Sequence, residues 1–311
     1  MALCPRSASI AILCSTALVA AIFYAYNNNN NESILNDPNK RWLAAVSSFT
    51  DPRKVTPRFR NPVRKHLPIE HIPALQPGIV YEGHAQTIGL EQKLDTFFAN
   101  RSEEGGFFIE SGAYNGIDHS NTLWLERERN WKGLLVEGNP NMPNLVCKSG
   151  RHRSYLADCC LAAGQAIVQL GFRMAGPLGG LTSNMDAKQA RRIYNGMKKH
   201  KDDMNEENVG STVMVTCYPL NDLLKGLDQE VVDFWSLDVE GGEIPILKSV
   251  DVSAVMFGLI FIESNTRPHY EEVRAFMTSV GFVENMELKG AQDSAWQNPY
   301  YCDKYKGACN L

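Results

Sequence analysis

Residues 107–116 read FFIESGAYNG, an apolar run that ends on an acid and continues into a segment with two glycines. A short apolar run bounded by glycine is typical of a buried strand followed by a tight turn. Glycine at positions 112 and 116 lets the backbone turn sharply and approach a bulky ligand closely. The stretch therefore predicts a buried strand that holds Glu110 at its carboxyl end.

Short apolar runs alternate with amphipathic stretches from residue 83 onward, the pattern of a sheet whose parallel strands are connected by helices. Strands are predicted at 107–110, 133–137, 154–157, 167–170, 212–217, 231–238 and 257–263. Helices are predicted at 90–100, 121–129, after Pro140, and at 220–227, 242–248 and 270–280. A glycine loop is expected at 176–183 and a charged surface helix or lid at 186–208. We therefore expect an α/β fold.

Carboxylates stand at or just beyond the ends of four predicted strands. They are Glu110, Glu137, the pair Asp238 and Glu240, and Glu263. An unpaired charge is costly to bury, so acids seldom end buried strands by chance. In open α/β sheets, ligands bind beyond the carboxyl ends of the strands, where successive loops meet. The repeated placement predicts a ligand site at that edge.

The spacing of the acids favours a nucleoside-containing cofactor. Glu137 ends the strand after that of Glu110 and is placed to accept hydrogen bonds from a ribose diol. Asp158, after the third strand, is placed to receive an adenine amino group. Gly112 and Gly116 do not form the GxGxxG fingerprint of a pyrophosphate cradle. The pattern alone leaves nicotinamide and S-adenosylmethionine cofactors open.

Each position also has a structural interpretation. Glu110 and its glycines can form a strand-ending turn, and Glu137 can precede a helix that Pro140 starts. Asp238 and Glu240 can be turn acids that cap the helix at 242–248. The chain has no paired CxxC motifs and no clustered histidines, so we expect no metal site.

Three segments together resemble the FkbM-type methyltransferase family, a branch of the class I S-adenosylmethionine-dependent fold. They are FFIESGAYNGIDHSNTLWLERERNWKGLLVEGNP from residue 107, ADCCLA from residue 157 and SLDVEGGEIPIL from residue 236. The resemblance covers roughly residues 86–286. It implies a Rossmann-like sandwich, a mostly parallel sheet with helices on both faces, and S-adenosylmethionine as the cofactor.

The resemblance also implies roles for individual residues. It assigns the methionine and ribose end of the cofactor to Glu110, Gly112 and Gly116, the ribose hydroxyls to Glu137, and the adenine to Asp158. It assigns catalysis on the acceptor side to Asp238 and Glu240. Methyl transfer needs an in-line approach of the acceptor oxygen, so positioning supplies much of the rate while a carboxylate takes the hydroxyl proton. Asn115 departs from the family pattern, in which many members carry Asp.

Residues 7–26 carry no charge and are long enough, at about 1.5 Å per residue, to cross a bilayer core of roughly 30 Å. We expect a transmembrane signal anchor there and a short cytoplasmic tail at residues 1–6. A cleaved signal peptide is the alternative, although Phe23, Tyr24 and Tyr26 do not form a small-residue cleavage site. Either interpretation directs the remaining chain into the secretory lumen.

Residues 27–82 form a predicted polar, proline-rich and basic stem. Between residues 37 and 66, eight Lys or Arg residues stand against Asp37 and Asp51, a local charge of +6. Since the whole chain carries −4, the remainder carries about −10, and a compact body of that charge is a poor partner for nucleic acid. The FkbM-like domain is expected at 83–290 and a cysteine-containing tail at 291–311.

Six cysteines follow the predicted anchor, as suits an oxidising compartment. Cys302 and Cys309 flank a short polar segment and are the favoured disulfide pair. Cys159, Cys160 and Cys217 are expected to be buried thiols.

The anchor and basic stem resemble the animal, membrane-anchored branch of the family, which is similar to the insect Star protein. That resemblance implies a single-pass type II membrane protein of the endoplasmic reticulum and Golgi, with the endosome and plasma membrane as further locations. The sequons at Asn31 and Asn100 predict a glycoprotein.

The two resemblances lead to two candidate functions. One is an O-methyltransferase acting on a glycan or another hydroxylated acceptor. The other is a non-enzymatic factor that carries membrane-tethered growth-factor precursors from endoplasmic reticulum to Golgi in EGF receptor signalling.

Overall fold

The computed structural model describes residues 69–72, 89–101, 105–185, 190–195, 210–305 and residue 309. The predicted cytoplasmic tail, the predicted anchor and nearly all of the predicted stem lie outside these residues. Among the helices of the described residues, none is both long enough and apolar enough to cross a bilayer.

The described residues form two sheets. Their strands are β1 Ile69–His71, β2 Phe107–Ser111, β3 Lys132–Glu137, β4 Ser154–Asp158, β5 Cys160–Leu161, β6 Val168–Arg173, β7 Gly180–Leu181, β8 Thr212–Tyr218, β9 Val231–Leu237, β10 Met256–Glu263, β11 Val283–Glu284 and β12 Asp293–Gln297. The main sheet has eight strands in the order β1-β4-β3-β2-β9-β10-β12-β11, and the small sheet has the order β5-β8-β6-β7. Strands β4, β3, β2, β9 and β10 run parallel, whereas β1 pairs with β4, and β12 with β10 and β11, in antiparallel fashion.

The central strands are buried on both faces. Phe108 and Ile109 are neighbours in β2, yet they belong to different core clusters, and the same holds for Phe234 and Trp235 in β9. Successive strand residues point to opposite faces, so both faces of the main sheet are covered. This double burial explains why these strands read as continuous apolar runs in the sequence. Burying each such large side chain contributes about 1.5–3 kcal/mol.

Helices follow most of the parallel strands. They are α1 Leu90–Phe97, α2 Leu123–Arg129, α3 Pro143–Val146, α4 Leu220–Gly226, α5 Glu243–Ser249, α6 Arg267–Ser279 and α7 Pro299–Lys304, and residues 190–195 are helical as well. Helix α6 starts where the Thr266 side chain accepts a hydrogen bond from the backbone N–H of His269. Helix α1 buries Leu90, Leu94 and Phe97, which lie on one face at helical spacing.

The amino-terminal ends of β2 and β9 are fastened by Asp233. Its carboxylate accepts hydrogen bonds from Phe107 N at 2.7 Å, from Arg101 Nε at 2.6 Å and from the Tyr301 hydroxyl at 2.5 Å. Because Tyr301 belongs to α7, the C-terminal segment is packed into the same core as the central strands.

Disulfide bonds correct one expectation and confirm another. Cys160 of β5 and Cys217 of β8 form a disulfide, so the prediction that both are thiols is wrong. Parallel pairing of β5 with β8 brings the Cα atoms of Cys160 and Cys217 within 4.2 Å of each other. Their separation of 57 residues gives no sign of this proximity. Cys159 is a buried free thiol, as expected. The predicted Cys302–Cys309 disulfide is confirmed.

The observed elements match the predicted alternation, with shifts at their ends. The predicted glycine loop is wrong in part, because 176–183 contains a 3-10 turn at Gly176–Leu178 and strand β7, which pairs with β6. The predicted lid at 186–208 is helical at 190–195 and otherwise lies outside the described residues. The sequence did not predict β12, within the expected tail, or β1, within the expected stem. The result is a mixed α/β fold with a large, mostly parallel sheet, consistent with a Rossmann-like methyltransferase.

Candidate active site

The carboxyl ends of β2 and β9 are brought into direct backbone contact. Asp238 N donates to Ser111 O at 3.1 Å, and Gly112 N donates to Val136 O at 3.0 Å. Gly112 has a φ of +87°, and a Cβ at this position would lie 1.9 Å from the Asp238 carbonyl oxygen. Only glycine fits this approach. The turn at Gly112 therefore brings the carboxyl ends of β2, β3 and β9 together.

A first cleft lies beyond these strand ends, against the small sheet. It contains about 670 Å³ of empty space, part of which is open to solvent. Its lining includes Gly112, Tyr114, Glu137, Gly138, Cys160 and Asp238. The cleft thus collects residues from all three segments that carried the family resemblance.

Glu137 is a buried wall residue of this cleft. One of its oxygens accepts a hydrogen bond from Tyr114 N at 2.6 Å, and the other accepts one from Asn139 N at 2.6 Å. These two hydrogen bonds hold the carboxylate of Glu137 in a fixed orientation. A carboxylate has about four acceptor positions, so a group fixed in this way is suited to a diol.

Asp158 differs from Glu137 in its exposure and in its place outside the first cleft. It is exposed at the end of β4, beside Glu137 in register, and it is not part of the lining of the first cleft as the described residues form it. The following residue, Cys159, lines the cleft instead, and burial raises the pKa of its thiol well above the usual range. The adenine role of Asp158 stays a prediction.

A second cleft adjoins the first and shares Gly112, Tyr114 and Asp238 with it. Glu240 also lines both clefts, and the other lining residues of the second cleft include Glu110, His119, Asn121, Arg192 and Ser236. Asn121 donates its Nδ2 to Ser236 Oγ at 3.0 Å, whereas its buried Oδ1 has no hydrogen-bond partner among the described residues. A buried acceptor without a donor is rare, so Asn121 is a candidate ligand contact that the sequence did not identify.

Glu110 belongs to a buried group that we call the arginine network, formed by Glu110, Ser120, Thr122, Glu126 and Arg151. Glu110 accepts hydrogen bonds from the hydroxyls of Ser120 and Thr122 at 2.8 and 2.7 Å, and from Asn121 N at 2.6 Å. Arg151 donates to Glu126 at 2.8 Å and approaches Glu110 at 3.5 Å. Protein donors thus surround Glu110, and its contact with a cofactor stays a prediction.

Glu240 is held in an unusual backbone conformation, with a φ of +57°. Left-handed backbone is uncommon for residues other than glycine and often marks functional sites. Its carboxylate pairs with Arg192 at 3.0 Å, and Arg192 Nη1 also lies 4.0 Å from Glu263. The helical segment 190–195 therefore brings a positive charge to the acids of β9 and β10.

Asp238, Glu243 and Glu263 form a second group, which we call the acid cluster. Each offers a carboxylate oxygen within 4.8 Å of those of the other two. Burial, followed by the charges of Asp238 and Glu240, raises the pKa of Glu263 to about 11. Burial also raises the pKa of Glu243 to about 7, although backbone N–H groups, including those of Val239 and Gly241, favour its ionised form. Acids here face other acids, in contrast to the arginine network.

The sequence identified Asp238, Glu240 and Glu263 as acids at strand ends, and the structure brings all three to one place. It missed Glu243, Arg192 and Asn121. Glu243 had a visible signal, because it is the last acid of the DVEGGE segment that carried the resemblance. Arg192 had none, since the predicted lid is a run of charged residues that reads as a solvated face.

Comparison with known families decides the identity of this domain. Residues 110–284, more than half of the chain, match the methyltransferase FkbM domain. The chain belongs to the FkbM methyltransferase family. No curated protein gives a significant match to it. The matched segment contains the acidic residues of both clefts, the arginine network and the acid cluster. Membership of the family implies dependence on S-adenosylmethionine.

Proposed function

We propose that this FkbM protein is an S-adenosylmethionine-dependent O-methyltransferase. The observation that carries the proposal is the placement of Glu137, Gly112 and Asp238 in the wall of one cleft that continues into a second. A cofactor and an acceptor can thus occupy adjoining spaces at the carboxyl edge of the sheet, where α/β sheets bind ligands.

The residues of the clefts fit this cofactor. Glu137 is buried and oriented by two backbone N–H groups, so it would hold the ribose hydroxyls. The backbone at Gly112 would allow close approach of the methionine end. The Oδ1 of Asn121 accepts no hydrogen bond from any described residue. It would accept one from the amino group at the methionine end of the cofactor. S-adenosylmethionine, when bound, supplies a methyl group on a sulfonium centre.

The chain's own residues would position the acceptor and move its proton. Asp238 lines both clefts, and Glu240 lines them with a carboxylate fixed by Arg192 at 3.0 Å. We assign to Asp238 and Glu240 the removal of the hydroxyl proton as the acceptor oxygen is alkylated. Holding the acceptor oxygen in line with the methyl group supplies much of the rate.

Calorimetric titration of the purified full chain with S-adenosylmethionine and S-adenosylhomocysteine tests the proposal. We expect binding by the wild-type chain and a loss of affinity of at least about tenfold in Glu137→Ala, because the ribose would lose a charged acceptor. Glu284→Gln, which changes a carboxylate paired with Tyr270 and Lys289, is the matched control. Absence of heat from a folded wild-type sample would contradict the proposal.

We further propose that the domain is lumenal, in a type II membrane protein of the endoplasmic reticulum and Golgi. The uncharged segment 7–26 supports an anchor, and the Cys160–Cys217 and Cys302–Cys309 disulfides suit an oxidising compartment. Protease protection of the domain in intact microsomes is the expected result. Digestion of the domain without detergent would exclude this orientation.

Transport of membrane-tethered growth-factor precursors, by analogy with the Star-like branch, is the second candidate function. The anchor and the oxidised cysteines support it, because such cargo travels through the same compartments. A purely carrier role predicts that the Glu137→Ala chain still moves a precursor from endoplasmic reticulum to Golgi. A transport defect equal to that of cells without the protein would instead tie transport to the cofactor site.

A further inference from the structure

The acid cluster has the ligand set of a cation site, contrary to the expectation that the chain holds no metal. Asp238, Glu243 and Glu263 each direct a carboxylate oxygen to a common region less than 5 Å across, since these oxygens lie within 4.8 Å of one another. Glu243 and Glu263 are buried. Oxygen ligands of this kind suit hard divalent cations such as Mg²⁺ and Mn²⁺, whereas zinc favours nitrogen and sulfur.

An unsatisfied oxygen within the acid cluster points to a missing partner. Glu243 is fully buried, and its Oε1 accepts hydrogen bonds from Val239 N and Gly241 N at 3.0 and 3.1 Å. Its Oε2 has no hydrogen-bond partner in the part of the chain that the structure describes, although His269 Nε2 lies 3.5 Å away. Asn265 donates its Nδ2 to Glu263, and the Oδ1 of the same amide has no partner within those residues either. Buried oxygens are normally satisfied, and a cation held by the three acids would satisfy Oε2 of Glu243.

We infer that Asp238, Glu243 and Glu263 bind one divalent cation of the Mg²⁺ or Mn²⁺ class. Three protein oxygens leave coordination positions for water, which Mg²⁺ usually keeps. Asp238 is only half-buried and lines both clefts, so the cation is accessible from them. Contact of the cation with an acceptor oxygen rests on the proposed function, whereas binding of the cation does not.

Arg192 competes with the cation for Glu263. Its Nη1 lies 3.0 Å from Glu240 and 4.0 Å from Glu263, and its side chain is 39% exposed. A half-exposed arginine on a surface helical segment can turn toward solvent at little cost. Removal of its charge should therefore tighten cation binding, whereas removal of a ligand should weaken it. The two substitutions have opposite expected signs.

Electron paramagnetic resonance of Mn²⁺ tests the inference on the full chain without any cofactor, because bound Mn²⁺ loses the sharp signal of the free ion. We expect one Mn²⁺ per chain, at least about tenfold weaker binding in Asp238→Asn and Glu243→Gln, and tighter binding in Arg192→Gln. The amide in Glu243→Gln keeps an oxygen that can accept from the backbone N–H groups of residues 239 and 241, so this variant should fold. Asp222→Asn, which changes a half-buried acid on α4, should bind as wild type.

Two results would overturn the inference. One is an unchanged free-Mn²⁺ signal with the wild-type chain. The other is equal Mn²⁺ affinity of wild type, Asp238→Asn and Glu243→Gln, with folding of each variant verified by near-ultraviolet circular dichroism. Calorimetry with S-adenosylmethionine in EDTA separates the two proposals. If the chain binds the cofactor but not Mn²⁺, only the cation site is contradicted. If it binds Mn²⁺ but not the cofactor, only the methyltransferase assignment is contradicted.

Discussion

The arginine network and the acid cluster both contain buried carboxylates, yet these carboxylates are stabilised in opposite ways. Glu110 and Glu126 are surrounded by hydroxyls, backbone N–H groups and the Arg151 guanidinium. Glu243 and Glu263 lie beside other acids, and one oxygen of Glu243 is unpartnered among the residues described. A buried acid with its donors present needs no ligand to explain it, whereas acids that face one another must either bind protons or share a cation.

An acid at the end of an apolar strand therefore has two different structural roles in this molecule. Both groups begin as acids at the ends of apolar strands, and the sequence treats them alike. The donors supplied by distant segments distinguish them. Arg151 lies 41 residues beyond Glu110, whereas the acids of β9 and β10 receive Arg192, which binds at the rim and is partly exposed.

The largest effect is expected from breaking the arginine network. Arg151→Met would leave Glu110 and Glu126 buried without their cationic partner, and removal of one member of a buried ion pair costs about 3–5 kcal/mol. We expect a loss of that size in the free energy of unfolding, measured by urea denaturation. Arg274→Met, at a side chain 57% exposed, should change it by less than about 0.5 kcal/mol. A loss below about 1 kcal/mol at Arg151 would mean that the network is not structural.

Gly112→Ala tests the junction between the two groups. The added Cβ would lie 1.9 Å from the Asp238 carbonyl oxygen at a φ of +87°, so we expect a loss of about 3 kcal/mol in the free energy of unfolding. Gly164→Ala is the control, since its Cβ would meet no atom of the described residues within 4 Å. Equal stability of the two variants would show that the strand ends separate easily.

A smaller effect is expected in the pH dependence of stability with EDTA present. Glu243 has a folded-state pKa of about 7, above its value in the unfolded chain, so the folded state binds the proton more tightly. The stability from this group is fully present below about pH 4.5 and is lost as pH rises through 7. We expect Glu243→Gln to remove a decline on the order of 2 kcal/mol between about pH 5 and 8. Parallel stability curves for wild type and variant, measured by urea denaturation, would contradict this.

The smallest effect is expected at Asp158, the exposed acid outside the first cleft. Asp158→Asn should change S-adenosylmethionine affinity by less than about twofold, because an exposed carboxylate contributes little. Calorimetric titration of Asp158→Asn and Glu137→Ala with S-adenosylmethionine, under the same conditions, compares the two affinities directly. A tenfold loss in Asp158→Asn would instead support its predicted contact with adenine.

The sequence was sufficient where local pattern decides structure. Apolar runs predicted β2, β9 and β10, because strands buried on both faces have little freedom to vary. Acids at their ends predicted the edge where the clefts lie, since parallel strands place their carboxyl ends together. Glycine at position 112 predicted a tight turn, although its observed contact is with the Asp238 backbone.

The sequence was insufficient where distant segments meet. The Cys160–Cys217 disulfide depends on the pairing of β5 with β8, and the partners of Glu110 depend on how α2 and β4 pack. Glu243 reads as an ordinary first-turn acid of a helix, and only tertiary packing makes it fully buried. Unsatisfied atoms such as Asn121 Oδ1 have no signature in sequence at all.

Strand β12 has a consequence for how the molecule is made. It pairs Asp293 with Glu263 and covers the edge of β10, all eight residues of which are buried. Because ribosomes deliver the amino-terminal part first, β10 emerges with a long, bare apolar edge that is covered once residues 293–297 follow. Nascent chains arrested before this point should therefore depend on chaperones, and chains that stop before residue 293 should aggregate.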